Sequence, residues 1–281
     1  MKIPKSIAPL VQDGLVDEVI RPLKSGKEAE VFVVVAEGEI RCAKVYKDIK
    51  QRSFQNQAVY QEGRRVRNTR QARAMEKHSR YGRRQQEEVW QNAEVDALYQ
   101  LAAAGVRVPK PYNFVSGVLI MELITDAQGN AAPRLNDLDL TKEQAVTFHQ
   151  YLLTEVVKML CAGIVHGDLS EFNILVDADG PVIIDLPQAV NAAANNNAAR
   201  MLERDVDNLA HYFGQFAPEL LTTHYGKEIW HLYESGDLHP GSVLTGQFKS
   251  TDKPANVGSV MREIKAARDE AIEKKRFGYD D

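Results

Sequence analysis

The stretch Ile164–Asp185, IVHGDLSEFNILVDADGPVIID, decides how the rest of the chain is read. It opens on an apolar pair, passes through a polar loop, and continues as two short apolar runs, Ile174-Leu175-Val176 and Val182-Ile183-Ile184. Between the runs stands the turn-forming Asp177-Ala178-Asp179-Gly180, so the pair reads as a β-hairpin. Asp168 and Asn173 lie in the loop ahead of the first strand, and Asp185 ends the second. Three oxygen-bearing side chains are therefore expected at one end of a single hairpin. Carboxylate and amide oxygens are the donors that Mg²⁺ prefers, and Mg²⁺ usually shares its shell with substrate phosphates. Two of the three can hold metal while the third faces an attacking hydroxyl. A turn merely rich in Asp and Asn has the same composition, and only the spacing separates the two readings.

That spacing matches the catalytic loop of protein kinases, where the aspartate of an H-x-D triplet precedes a metal-binding asparagine and a second aspartate closes the next hairpin. Here the corresponding residues are His166-Gly167-Asp168, then Asn173, then Asp185. The totals allow such a molecule. The chain has 281 residues, 44% hydrophobic and 26% charged, which suits one two-lobed domain or two small ones. A formal net charge of −4 gives no overall basic field, so any surface for nucleic acid must be local. Cys42 and Cys161 are far apart without metal-like spacing, which fits a reducing cytoplasm. The start, MKIPKSIAPLVQDG, has prolines and an early acid and does not read as a signal peptide. No apolar run approaches the roughly eighteen residues that cross a bilayer.

Residues 1–18 read as a short arm packed on the segment after it. From residue 19 to 124 the pattern is mainly of strands. Val19-Ile20, Val31–Val35 and Ile40–Tyr46 predict three antiparallel strands, with Ser25-Gly26-Lys27 as a phosphate-covering turn between the first two. Lys44 sits between apolar neighbours inside the third strand, a position that reads either as a phosphate-gripping lysine or as an edge lysine facing water. Period-two alternation puts Cys42 on the same face. A helix is expected over 85–104, where Trp90, Glu94, Leu98 and Leu101 share one face; a glutamate on an apolar stripe wants a cation, and Lys44 is the candidate. Glu87 is the fallback. Val118–Ile124 reads as a strand running into a connection between two lobes, with backbone groups of Glu122 and Ile124 available to adenine and Met121 lining the back of the pocket.

The segment 48–84 carries Arg64, Arg65, Arg67, Arg70, Arg73, Lys77, Arg80, Arg83 and Arg84 against the acid Glu76 in its core. It reads either as a solvated loop or as a local site for an anionic partner such as RNA. The remainder, 125–281, is read as mostly helical: 141–162 with a Thr141 cap, 199–216, 217–235, and a charged C-terminal helix ending near Arg276. Leu209, Phe213, Leu220, Leu221, Ile229 and Trp230 are its expected core.

With SGKEAEVF at 25–32, CAKVY at 42–46, HGDLSEFNIL at 166–175 and VIIDLPQAV at 182–190, the chain resembles the RIO atypical protein-kinase family, most closely its first subfamily. The resemblance implies an α+β, trimmed two-lobed kinase-like fold: an upper antiparallel sheet with one main helix, and a mostly helical lower lobe. It implies ATP as nucleotide and Mg²⁺ as metal, with Mn²⁺ an alternative. Asp168 takes the place of the catalytic aspartate, Asn173 and Asp185 those of the metal ligands, Lys44 that of the phosphate-gripping lysine, and Ser25, Gly26 and Lys27 that of a reduced phosphate loop. Asp185-Leu186-Pro187 stands where other kinases have DFG, and no APE follows. The family lacks the peptide-docking segment. The implied activity is therefore serine/threonine phosphorylation including autophosphorylation, a conformational ATPase working through an aspartyl-phosphate at Asp185, or nucleotide-gated binding of RNA or ribosome. A small-molecule phosphotransferase is the remaining alternative.

Overall fold

The computed structural model describes residues 3–26, 29–47 and 93–248. Strands β1 (Glu18–Ser25), β2 (Ala29–Ala36) and β3 (Glu39–Tyr46) form the expected antiparallel run; β4 (Pro111–Val115) and β5 (Val118–Glu122) complete a sheet of order β1-β2-β3-β5-β4. The two faces of β3 explain the upper lobe. Ala43 and Val45 point outward and are covered, with Phe32, Val34 and Ile120, by the short helix α1 (Ala8–Gln12), whose Leu10 is buried beside Ile7. Cys42, Lys44 and Tyr46 alternate to the other face, which looks into the molecule. The arm expected over 1–18 thus contributes a lid of apolar side chains over the outer face of the sheet.

Helix α2, described over 93–103, packs Val95, Leu98 and Leu101 against that inner face. It stops at Gly105, whose φ of +74° suits glycine; the Gly105 and Val106 N–H groups turn back to the carbonyls of Ala102 and Leu101. Strand β5 ends at Glu122, two residues earlier than the pattern suggested, and 123–134 lead across to the lower lobe.

There α3 (Lys142–Cys161) begins with a reciprocal cap between Thr141 and Gln144. It packs with α4 (Ala198–Phe213) and α5 (Tyr225–Ser235) around Leu152, Leu160, Leu209, Phe213 and Ile229. The stretch expected as one helix over 217–235 is divided: a 3₁₀ turn, Pro218–Thr222, precedes α5. That turn sends Leu220 inward and Leu221 outward. Leu221 is 52% exposed and so is not a core residue as expected; its side chain lies over Gly214.

The basic segment 48–84, Glu87, Trp90, Lys27 and the expected C-terminal helix lie outside the described residues. Contacts divide the chain after Gln247, and all of the elements named above belong to the first unit. Among the described residues no helix is long and apolar enough to cross a membrane.

Candidate active site

The inner face of β3 and the hairpin of β7 (Ile174–Val176) and β8 (Pro181–Ile183), which follows the two-residue strand β6 (Ile164–Val165), look into one cavity of about 720 Å³ between the lobes. Lys44 reaches into it from above. Its Nζ donates to Glu94 Oε1 at 2.6 Å and to Asp185 Oδ1 at 2.9 Å. Glu94 comes from the apolar stripe of α2 and is 4% exposed, so the pairing expected from the helix pattern is present. Burial would push the Lys44 ammonium down, but the Glu94 and Asp185 charges outweigh it and hold its pKa well above the ordinary lysine value. The Lys44 charge in turn holds the Asp185 carboxyl below the usual range, so Asp185 is ionised at neutral pH.

Asp185 does not end β8; it follows two residues later with φ of +67°. Few side chains other than Gly, Asn and Asp adopt that conformation readily, and it lets the chain reverse so that the carboxylate faces the cavity. Asp168 lines the same cavity from the loop below; burial raises its pKa, opposed by Arg204 and aided by the Asp185 charge. The Asn173 side chain is not in the cavity wall. Its Nδ2 donates to the Asp168 carbonyl at 2.9 Å, which fixes the amide and leaves Oδ1 available, and its own carbonyl accepts from Ile184 N–H at 3.0 Å. Asn173 thus links the Asp168 loop to the backbone beside Asp185 through two hydrogen bonds.

Three residues of α4 hold this loop. Asp205, 1% exposed, accepts from the N–H groups of Gly167 at 2.7 Å and Leu169 at 3.0 Å. Burial pushes its carboxyl up to about 7 against the pull of those two donors. Arg204 donates to the Gly167 carbonyl and Asn208 to that of Leu169. His166, also buried, meets the Ile184 carbonyl through Nε2 at 3.2 Å and accepts from Asp168 N–H through Nδ1. Burial lowers its pKa to about 4, so the ring is neutral and serves as donor and acceptor at once. Asp205 falls within the helix expected over 199–216, where the sequence alone assigns it no role. Its signal was legible: with Met201, Leu202, Val206 and Leu209 it falls on the apolar stripe, as Glu94 does on α2.

At the other end of the cavity, Met121, Glu122 and Ile124 line the wall with Cys42 and Val31. The Glu122 N–H is taken by the Lys110 carbonyl at 2.8 Å, and the Ile124 carbonyl accepts from Ala132 N–H at 2.9 Å. Of the backbone groups expected to face a base, the Ile124 N–H has no partner among the described residues. The Glu122 side chain turns away to Arg107 and to Lys110 N–H. Burial pushes the Cys42 thiol up to about 12, so it packs and does not react. Gly26 lines the cavity, whereas Ser25 does not; Ser25 Oγ and the Gly26 carbonyl both accept from Lys47 Nζ.

The donor set fits Mg²⁺. Asp185 supplies an ionised carboxylate and Asn173 an oriented amide oxygen, both hard ligands, on adjoining backbone. Among the described residues no group of three or more His, Cys, Asp or Glu forms a metal cluster, so the protein offers two oxygen ligands and not a closed cage. That is the usual arrangement for Mg²⁺ shared with phosphates.

An antiparallel upper sheet, a lysine–glutamate pair, and an Asp–Asn–Asp set on a loop and hairpin below define a molecule of protein-kinase-like fold. The RIO domain family matches residues 30–225, and the chain belongs to that family. The RIO-type serine/threonine-protein kinase Rio1 of Haloferax volcanii is 34% identical over 74% of this chain and 67% of its own length. The serine/threonine-protein kinase RIO1 of Homo sapiens is 28% identical over 74% of this chain, which spans only 35% of the human protein. Among solved structures, the Rio2 kinase–ADP/Mg²⁺–phosphoaspartate complex from Chaetomium thermophilum has the same fold, with a TM-score of 0.55, 22% identity, and coverage of 80% of this chain and 65% of that one.

Proposed function

We propose that this protein is an ATP-dependent serine/threonine kinase of RIO type, working with Mg²⁺ and acting on itself among its substrates. The observation that carries this reading is the placement of Lys44, paired to buried Glu94, and of Asp168 and Asp185 around one cavity. Lys44 has three donors; two engage Glu94 and Asp185, which leaves the third for a phosphate oxygen. Asp168 receives and orients the acceptor hydroxyl, accepting its proton as the oxygen attacks the γ-phosphorus and the bond to the ADP oxygen breaks. Glu94 holds Lys44 in place, and Asp205 with His166 holds the Asp168 loop. Asn173 and Asp185 hold the metal, which when bound neutralises charge on the phosphates. The base lies along Met121 with the Ile124 N–H as donor. Most of the rate gain comes from positioning and electrostatics.

A second reading rests on Asp185 itself. It is ionised, its side chain is 44% exposed toward the cavity, and only one of its oxygens is engaged by Lys44. In this reading that oxygen attacks the γ-phosphorus, releasing ADP and leaving an acyl phosphate that water then hydrolyses. The Rio2 relative solved as a phosphoaspartate complex supports this route. Incubation with γ-labelled ATP and Mg²⁺, followed by chemical typing, separates the two: phosphoserine or phosphothreonine for the first, a hydroxylamine-sensitive label lost in Asp185→Asn for the second. No transfer of label and no ATP turnover would sink both. The basic segment 48–84 is proposed as the site of an RNA or ribosomal partner, and the two free thiols Cys42 and Cys161 support a reducing, cytoplasmic setting.

A further inference from the structure

Arg107 lies outside the cavity, in the turn between α2 and β4, yet its groups tie together four other segments. Its N–H donates to Glu155 Oε2 at 2.7 Å, on α3 of the lower lobe. Its carbonyl accepts from Ile183 N–H at 3.0 Å, at the end of β8 and two residues before Asp185. Its guanidinium forks: Nη1 and Nη2 donate to the Glu122 carboxylate at 3.1 and 3.3 Å, and Nη2 also donates to Asp177 Oδ2 at 2.6 Å. Glu122 ends the strand that leads into the base-facing linker. Asp177 organises the turn of the metal-bearing hairpin, where its other oxygen accepts from the N–H groups of Asp179 and Gly180. The Glu122 carboxylate also accepts from Lys110 N–H, so its position is fixed.

A planar guanidinium is suited to this task because its donors are held in a rigid fork, and two carboxylates can be tied at a fixed distance by one side chain. The pair is part-buried, with Arg107 27% and Asp177 10% exposed, so solvent screens it incompletely. The Arg107 side chain is not part of the cavity wall. From these contacts we infer that Arg107 is a positioning residue: it joins the strand leading to Asp185 to the linker that receives the base, so that the metal-holding carboxylate and the base-binding edge keep one fixed separation.

The inference rests on the phosphotransfer reading, and its test has two arms in the full chain. In the first, ATP turnover is measured for Arg107→Met, which keeps the aliphatic stem, for Asp177→Asn and for the double variant. A misplacement of a reacting group by a fraction of an ångström to an ångström costs about 10- to 100-fold in kcat, with the KM for ATP expected to hold within about threefold. The double variant should be no slower than the slower single one, because both remove the same tie. Arg107→Lys, which can engage one carboxylate at a time, should recover part of kcat. Turnover of Arg107→Met within about twofold of wild type, or losses that multiply in the double variant, would overturn the inference. In the second arm, amide hydrogen exchange is compared without nucleotide at Ile183 and Gly180. Faster exchange in Arg107→Met than in wild type is expected, and equal rates would overturn the inference even if the wild-type chain turned over no ATP. Absence of turnover in the wild type would count against the phosphotransfer reading alone.

Discussion

Lys44 and Asp168 make opposite demands on a substitution. Asp168 is half-open to the cavity and bonded to little else, so Asp168→Asn should reduce phosphoryl transfer by about 10²–10⁴-fold while ATP binding, measured by titration calorimetry, changes little. Wild-type turnover in that variant would remove Asp168 from the reaction. Lys44→Met strips a buried carboxylate of its cation, and it should lower stability by about 3 kcal/mol as well as activity, read as a shift in urea midpoint. Both positions were legible in the sequence because each breaks a local rule: a charge inside an apolar strand, an H-x-D loop with a paired asparagine. Glu94 was legible for the same reason, as an acid on an apolar stripe. Asp205 broke that rule too. Its partners, however, are backbone N–H groups, which no residue type advertises. The direction of the Glu122 side chain, toward Arg107 and Lys110 N–H, was beyond the reach of a strand pattern that fixes only alternation.

The packing of α3 against α4 and α5 carries its own pH dependence. His149 is fully buried on α3, with its ring against Phe213 and Tyr225, and neither ring nitrogen has a hydrogen-bond partner among the described residues. Burial lowers its pKa to about 4 from an ordinary value of 6.5. The unfolded chain therefore binds a proton below about pH 6.5 that the folded chain refuses until about pH 4. Stability is complete above the first value and falls as pH drops toward the second, by about 3 kcal/mol in total. In His149→Phe, thermal midpoints at pH 7 and pH 4.5 should lie closer together than in wild type; an undiminished acid loss would show that His149 is not its source. The start of α3 was legible from its Thr141 cap, whereas α4 ends at Phe213, three residues before the expected 216. The division of 217–235 was not legible, because a 3₁₀ turn and an α-helix share the same apolar residues and differ only in which of Leu220 and Leu221 faces in.

At the scale of the whole molecule, the two lobes meet at a cavity whose strongest charges are arranged for an anion and a divalent cation. Mg²⁺ and ATP together should stabilise the protein by about 2.7 kcal/mol at a hundredfold excess over Kd. Chelation of Mg²⁺ should remove much of that shift in a thermal scan, whereas equal shifts with and without chelator would argue against Asn173 and Asp185 as metal ligands. For the basic segment, RNA binding should weaken steeply with added salt, and the slope should flatten when Arg64, Arg65, Arg83 and Arg84 are neutralised together; a slope unchanged by those four changes would locate the contact elsewhere. The upper lobe also depends on a few residues that precede its first strand. Ile7 and Leu10 are almost fully covered, and beneath them lie Val34, Ala43, Val45 and Ile120. An expression boundary placed at residue 18 would bare that greasy surface on a twisted sheet, and the trimmed protein would be expected to clump or recruit chaperones before its chemistry could be assayed.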